Sequence, residues 1–430
     1  MTRFKLQALS TGVAIALLAA GGPVMAQDAD VAALEARVAE LEAMLKQLVD
    51  EKKKAAPAPA PAAKPMPPKS DSSHSYGFGG YVRLDAKLSD YSSGDLAPGS
   101  AGTQFYIPAT IPVGTGPSSG PDLNADAKAT RINFKSNHNL DSGDKLSTFI
   151  EMDFYLSPGG NERVSNSYNP RVRHAFIKYN DWLFGQTWST FQDVGVLPET
   201  MEFIGPSEGT TFMRQAMIRY TSGNWEFALE NPETTITPNG GGGRIVADDG
   251  AMPDLVARYT IPLDGGHIKI AGLARQLDYD TTGVDDSETS LALSVSGKHP
   301  IGEADDIRWM ITSGSGVGRY LGLNTANDAV IDSNGNLEAI DQTGFFVAYR
   351  HVWNKKWRTN LIYSALSIDN DTALTGTGVT KDVYSAHVNL VYQPVPKLTL
   401  GGEVMFAERE IESGLDGDMT RFIFSAKYAF

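Results

Sequence analysis

Cysteine is absent from all 430 residues, so the chain builds no disulfide framework, no thiolate metal site and no thiol nucleophile. Histidine is sparse. The seven histidines, among them His138, His174, His267, His351 and His387, are scattered without metal-ligand spacing, and no metal and no cofactor is expected. Positive charge is in the minority: 37 Lys and Arg stand against 51 Asp and Glu, a formal charge of −14, which argues against nucleic acid as a partner. No segment reaches about 18 uninterrupted apolar residues, so no helix is expected to cross a bilayer. Catalytic motifs are lacking too. Gly116-Pro117-Ser118-Ser119-Gly120 fits the G-x-S-x-G pattern, but it lies in a Gly/Pro-rich stretch without the strand-to-helix elbow that activates a serine. Gly240 to Gly243 lacks the Lys and Ser/Thr of a phosphate loop. The expectation is not an enzyme.

What is present begins with an export signal. Arg3 and Lys5 precede an apolar run from Ala14 to Ala20, then Gly21, Gly22, Pro23 and the small-residue site Val24-Met25-Ala26, so residues 1–26 read as a signal peptide. Its loss removes two cations and brings the mature chain from −14 to −16. Residues 27–54 carry Val31, Leu34, Val38, Leu41, Leu45 and Leu48 at spacings of 3, 4, 3, 4 and 3, the apolar seam of a short coiled coil. An amphipathic helix lying on its own chain satisfies the same spacing. Residues 55–75 alternate Ala and Pro, an extended polyproline-type spacer.

From residue 76 to 430 the chain alternates strands with short turns and long loops. Turns fall near 141–144, 180–181, 222–224, 262–266, 300–304, 354–356 and 393–397. Longer Gly-, Asp- and Ser-rich loops fall near 90–125, 157–170, 189–212, 232–252, 280–287, 314–341, 369–380 and 411–418. Together they join about sixteen antiparallel strands into an all-β transmembrane barrel, with both termini on the periplasmic side. The strand faces agree, since Phe78, Val82, Leu84 and Ala86 alternate with Tyr81, Arg83, Asp85 and Lys87. The last strand places Phe422, Phe424, Ala426, Tyr428 and the terminal Phe430 on one face. It resembles the C-terminal insertion signal of bacterial outer-membrane barrels, with Tyr428 and Phe430 as the residues that barrel-assembly machinery would read. The implied location is the outer membrane of a Gram-negative bacterium, with the coil in the periplasm and lipid around the barrel.

A barrel of that size is wide enough for an aqueous lumen, so passage is the default function. Arg83, Arg131, Arg258, Arg308, Arg350 and Arg358 alternate with apolar neighbours and should point inward, because facing lipid would cost each about 2–4 kcal/mol at the midplane. A cationic wall draws anions and offers paired donors to carboxylates. Small anionic solutes are the expected cargo. The same alternation leaves the facing of Arg173 and Arg214 open, since Ile218 and Tyr220 also claim the lipid side.

Three segments resemble the trimeric general porins. Ala129-Thr130-Arg131-Ile132-Asn133-Phe134-Lys135 is similar to the family's second strand, and Arg173-His174-Ala175-Phe176 and Phe212-Met213-Arg214 match further wall arginines. Leu197-Pro198-Glu199 with Glu202-Phe203-Ile204-Gly205 resembles the third loop, which folds into the pore; the resemblance implies that Glu199 and Glu202 face the arginines. Thr200-Met201 is an insertion within that motif. Arg37-Val38-Ala39-Glu40-Leu41-Glu42 resembles a short trimerisation motif in which Arg37 pairs with a neighbouring chain's Glu42, implying a homotrimer. General porins lack such a coil, and the whole layout of signal, coil, Pro/Ala linker and barrel more closely resembles the DcaP-like outer-membrane transporters. That likeness implies passive uptake of small anions, notably dicarboxylates. A sugar-specific porin with a periplasmic coil, or a structural envelope protein with a blocked lumen, are the alternatives.

Overall fold

The computed structural model describes residues 73–97, 99–156 and 165–430, together with Ala39, Glu40, Ala43, Met44, Lys46, Gln47 and Asp50, which are helical and exposed. The signal peptide, the seam Val31, Leu34, Val38, Leu41, Leu45 and Leu48, its flanking Arg37 and Glu42, and residues 51–72 lie outside the described residues. The N-terminal 71 residues and residues 72–430 form separate units.

The wall of the second unit begins with β1 (His74–Tyr91), against which β2 (Asp122–Asp126) and β3 (Arg131–Asn139) lie end to end. It continues through β4 (Lys145–Asp153), β5 (Arg171–Tyr179), β6 (Trp182–Trp188), β7 (Arg214–Ser222) and β8 (Trp225–Glu230). Two short loop strands, β9 (Thr234–Thr237) and β10 (Ile245–Ala247), precede wall strands β11 (Asp254–Leu263), β12 (Gly266–Thr281), β13 (Val284–Ile301) and β14 (Asp305–Ser315). After loop strands β15 (Ala329–Ile331) and β16 (Leu337–Ala339), the wall closes with β17 (Asp341–Val352), β18 (Trp357–Asp369), β19 (Thr380–Val395), β20 (Leu398–Ile411) and β21 (Asp416–Ala429). β21 pairs antiparallel with β1 from Tyr81↔Ala429 to Tyr91↔Met419, which closes the sheet. The sheet holds seventeen strands, and because β2 and β3 share one partner the barrel is sixteen strands round. Closure leaves no open edge, as a strand structure in lipid requires.

Alternation explains the wall. On β21, Phe422, Phe424 and Tyr428 are exposed while Arg421, Ile423 and Ser425 are buried; on β1, Val82, Leu84 and Leu88 are exposed while Arg83, Asp85 and Lys87 are buried. Aromatic rings collect on the outer face at the short-turn end. Trp182 packs on Tyr220 and Trp225 on Tyr259, both at 4.7 Å, and Trp357 on Tyr392 at 4.3 Å, where amphipathic rings meet the membrane interface. Phe430 stacks on Phe78 at 5.8 Å and its N–H donates to the Gly80 carbonyl, so the chain's end sits beside the first strand.

Two expected loops are shorter than the sequence suggested. The segment 280–287 is a two-residue turn at Thr282-Gly283 because β12 and β13 pair out to Thr281↔Val284, and 411–418 is a turn between β20 and β21. Asp and Ser are compatible with either reading, and cross-strand pairing decides.

The lumen is partly filled from within. Three loops fold inward: residues 92–121, 189–213 and 316–340. Tyr106 and Ile111 of the first pack on Met405, Ala407 and Met419. Phe191 of the second joins Val317, Tyr320 and Leu321 of the third against Val256, Leu273, Leu366 and Ile368 of the wall. The second and third are joined by a bridge between Thr211 and Leu321, and the Phe212 N–H donates to the Tyr320 carbonyl at 2.8 Å. A full apolar side chain buried this way contributes about 1.5–3 kcal/mol, so a barrel with inward apolar residues holds its loops in place.

Candidate functional site

Loop 189–213 lies against most of the inner wall, and wall side chains hold it there. His267 and Lys269 bind Asp193 at 2.7 and 2.8 Å. Arg258 pairs with Glu226 and donates to the Gln192 carbonyl at 2.6 Å. Arg308 pairs with Asp306 at 2.7 Å and donates to the Leu197 carbonyl at 2.6 Å. Arg358 grips Glu199 with two bonds of 2.5 Å. Glu403 accepts the Met201 N–H at 2.7 Å, and Arg83 pairs with Asp85 at 2.8 Å while also reaching the Met201 carbonyl. Gly209 donates its N–H to Ser364 at 3.0 Å and lies so close to the Phe345 carbonyl that a Cβ there would collide with it.

This arrangement sorts the arginines singled out by strand parity. Arg83, Arg258, Arg308 and Arg358 are each paired with an acid and bonded to the loop, and Arg350 shares Asp306 with Arg308 at 2.8 Å. Arg131, Arg173 and Arg214 gather on another stretch of wall. Arg173 binds Glu151 at 3.0 Å and Asp153 at 2.9 Å. Arg131 approaches Glu151 only at 3.4 Å, and its Nε has no hydrogen-bond partner. Arg214 opens β7 opposite Trp188 and stacks over Trp188 at 4.5 Å and Phe212 at 5.5 Å; its Nη1 is buried without a partner. It shares the parity of exposed Ile218 and Tyr220, but as the first residue of its strand it follows the inward loop.

Glu199 and Glu202 are both engaged elsewhere, Glu199 by Arg358 and Glu202 by Arg421 at 3.3 Å. Burial alone would raise the Glu202 carboxyl, but Arg421 and the backbone N–H groups of Tyr106 and Phe203 hold it below the usual carboxylate range. The loop meets the arginine cluster with aromatic rings: beside Phe212 on Arg214, the Phe203 ring lies 6.0 Å from Arg131 and 5.6 Å from Arg173.

Residues that β18, β21, β1, β3, β5 and β7 bring together at one level thus form a cationic arc. Lys427, Arg83, Arg131, Arg171, Arg173, Arg214 and Arg358 face four acids, Asp85, Glu151, Asp153 and Glu199, an excess of three positive charges. Tyr81, Trp188, Phe203 and Phe212 separate them. The sequence reading placed Tyr81 inward and Phe203 and Phe212 in the porin-like segments, but it missed Trp188 and Lys427, although Lys427 alternates with Tyr428 on the inward parity. It also missed the lumen role of 316–340, for which the inward apolar residues Leu273 and Leu366 were the available signal.

The sequence profile of the DcaP outer membrane protein family matches residues 62–430. No curated protein sequence matches the chain. Among solved structures, the outer membrane channel DcaP of Acinetobacter baumannii superposes with a TM-score of 0.68 at 23% identity, over 84% of this chain and 99% of that one. OmpT of Vibrio cholerae lacking loop L8 gives 0.51 at 13% identity over 83% and 100%. OmpF of Salmonella typhi in complex with daunomycin gives 0.51 at 11% over 83% and 97%. With its closed sixteen-stranded barrel and inward loops, this chain belongs to the DcaP outer membrane protein family, which places it in the outer membrane of a Gram-negative bacterium with a porin-like fold.

Proposed function

We propose that the channel passes small anionic solutes, dicarboxylates among them, down their gradient. The observation that carries this reading is the arc from Lys427 to Arg214, with its excess of three cations at the level where Phe203 narrows the lumen. In a water-filled constriction between low-dielectric walls, unpaired charge of one sign raises the local concentration of its counter-ion. A guanidinium also recognises a carboxylate in two bonds at once, and Arg131, with Glu151 only at 3.4 Å, is the least tightly held of the arc's acid-paired arginines. The wall arginines that hold the loop contribute to the field but keep their donors occupied.

A sugar channel needs open aromatic faces. Here Arg131 lies over Tyr81 at 5.1 Å, Arg173 over Trp188 at 5.7 Å and Arg214 over Trp188 and Phe212, so cations cover the faces on which a sugar ring would slide. We take the assembly to be a homotrimer, set by the seam from Val31 to Leu48 with its Arg37 and Glu42 and anchored in outer-membrane lipid after insertion through the Tyr428 and Phe430 signal.

The test is a planar bilayer carrying the purified protein. Reversal potential in a salt gradient should show anion preference, closure should occur in three steps, and succinate should block the current more strongly than sucrose. Cation preference would overturn the proposed cargo, block by sucrose alone would establish the sugar reading, and a silent membrane would point to the structural one.

A further inference from the structure

We propose that Lys427 is a further anion contact of the pore, a specificity-determining residue that acts together with Arg131 beside the ring of Tyr81. The inference rests on the anion-channel reading and adds a residue to it.

Lys427 lies on β21 with the inward parity of Arg421, Ile423 and Ser425, and its Cα partner across the barrel seam is Arg83. Among the described residues its ammonium makes no ion pair and no hydrogen bond; its Nζ lies 5.7 Å from the centroid of the Tyr81 ring, and the charges that act on it are Arg83, Arg131 and the Arg358–Glu199 pair, which is itself closed. The neighbouring Arg83, by contrast, is bonded to Asp85 and to the Met201 carbonyl. The free charge at this level therefore belongs to the lysine. The cross-strand partner of Tyr81, Arg131, holds its guanidinium 5.1 Å from the same centroid. The two distances, 5.1 and 5.7 Å, cap the separation of these cations at 10.8 Å.

Side-chain chemistry makes the two unlike. Arg131 is planar, weakly paired to Glu151 and close to Phe203, so it presents fixed donors. Lys427 is a compact charge on a four-carbon stem that follows a passing ion without breaking an existing bond. Contact with the ring of Tyr81 is far weaker than an ion pair and leaves the ammonium available. The arc thus extends beyond the arginines to β21, next to the barrel's closing seam.

The experiment compares wild type, Lys427→Gln, Lys427→Arg and, as a control for net charge, Lys381→Gln, whose lysine binds Glu410 at the opposite end of its strand pair. Each is assayed for reversal potential and for block by succinate, at about 0.1 M and 1 M salt, where screening lengths are roughly 10 and 3 Å. Lys427→Gln should lower the anion-to-cation permeability ratio by roughly twofold or more at the lower salt and less at the higher, in keeping with loss of a steering charge. Lys427→Arg should restore it, and Lys381→Gln should match wild type. A Lys427→Gln channel with wild-type selectivity and block overturns the inference while leaving wild-type anion preference, and with it the proposed cargo, untouched. A wild type that prefers cations yet moves further that way in Lys427→Gln would overturn the cargo and keep the contact. Equal heat stability of the variants' folded bands checks that the barrel is intact.

Discussion

At the scale of single residues, the wall cations divide by what already occupies their donors. Arg131→Ala removes a guanidinium with an unpartnered Nε and should lower anion preference with little change in stability, read from reversal potential and thermal melting together. Arg258→Ala should do the reverse. It breaks the pair with Glu226 and the bond to the Gln192 carbonyl, costing about 2 kcal/mol by the usual worth of charged hydrogen bonds. Melting should fall and current noise rise as the loop loosens, with selectivity less affected. Part of this division was readable in the sequence: residues two apart on a strand share a face, so Arg83 with Asp85 and Arg308 with Asp306 were visible as pairs. The pairs Arg258 with Glu226 and Arg358 with Glu199 were not, because they join residues 32 and 159 positions apart.

At the scale of elements, loop 189–213 is held by contacts that leave little room for change. Gly209→Ala would drive a Cβ into the Phe345 carbonyl, so the loop should be displaced and single-channel conductance should rise. Beside it, Glu208 is fully buried, and neither carboxyl oxygen has a hydrogen-bond partner of good geometry. Burial pushes this carboxyl up from its ordinary range, while Ser385, His387 and Ser364 around it act the other way. Tyr106 of the first inward loop neighbours it, and Glu403 lies beyond His387 at 3.0 Å. Because its folded pKa is raised, the acid's contribution to stability is complete below about pH 4, the unfolded carboxylate range, and is lost as pH rises through the folded value. Glu208→Gln should therefore flatten the fall of melting temperature with rising pH above that range. The loop's inward path was expected from the likeness of Leu197-Pro198-Glu199 and Phe203-Ile204-Gly205 to a porin loop, whereas the attachment of Glu208 depends on β18 and β19 meeting it.

At the scale of the whole molecule, the barrel and its N-terminal segment are separable units, and a chain lacking residues 27–54 should insert and keep its anion preference. If the seam sets the oligomer, that chain should dissociate at lower temperature on native-like gels than the full protein. Its closed wall was legible from local rules: alternating faces, short turns at one end, and Phe430 at the end of an aromatic strand each follow from the two-residue period and from lipid on one side. Local pattern also marked Arg131 as inward. What the sequence by itself determined is therefore the barrel and its strand number, because these depend on residues one, two or ten positions apart. Only the tertiary structure decided which of the inward charges remain free, which loops fill the lumen, and that Glu199 meets Arg358 and Glu202 meets Arg421 while Phe203 meets Arg131 and Arg173. The physical reason is that such ion pairs join a strand to its neighbour or to an inward loop, as Arg258 does with Glu226 and Arg358 with Glu199, so they are set by cross-strand register and by the loop's path rather than by local pattern.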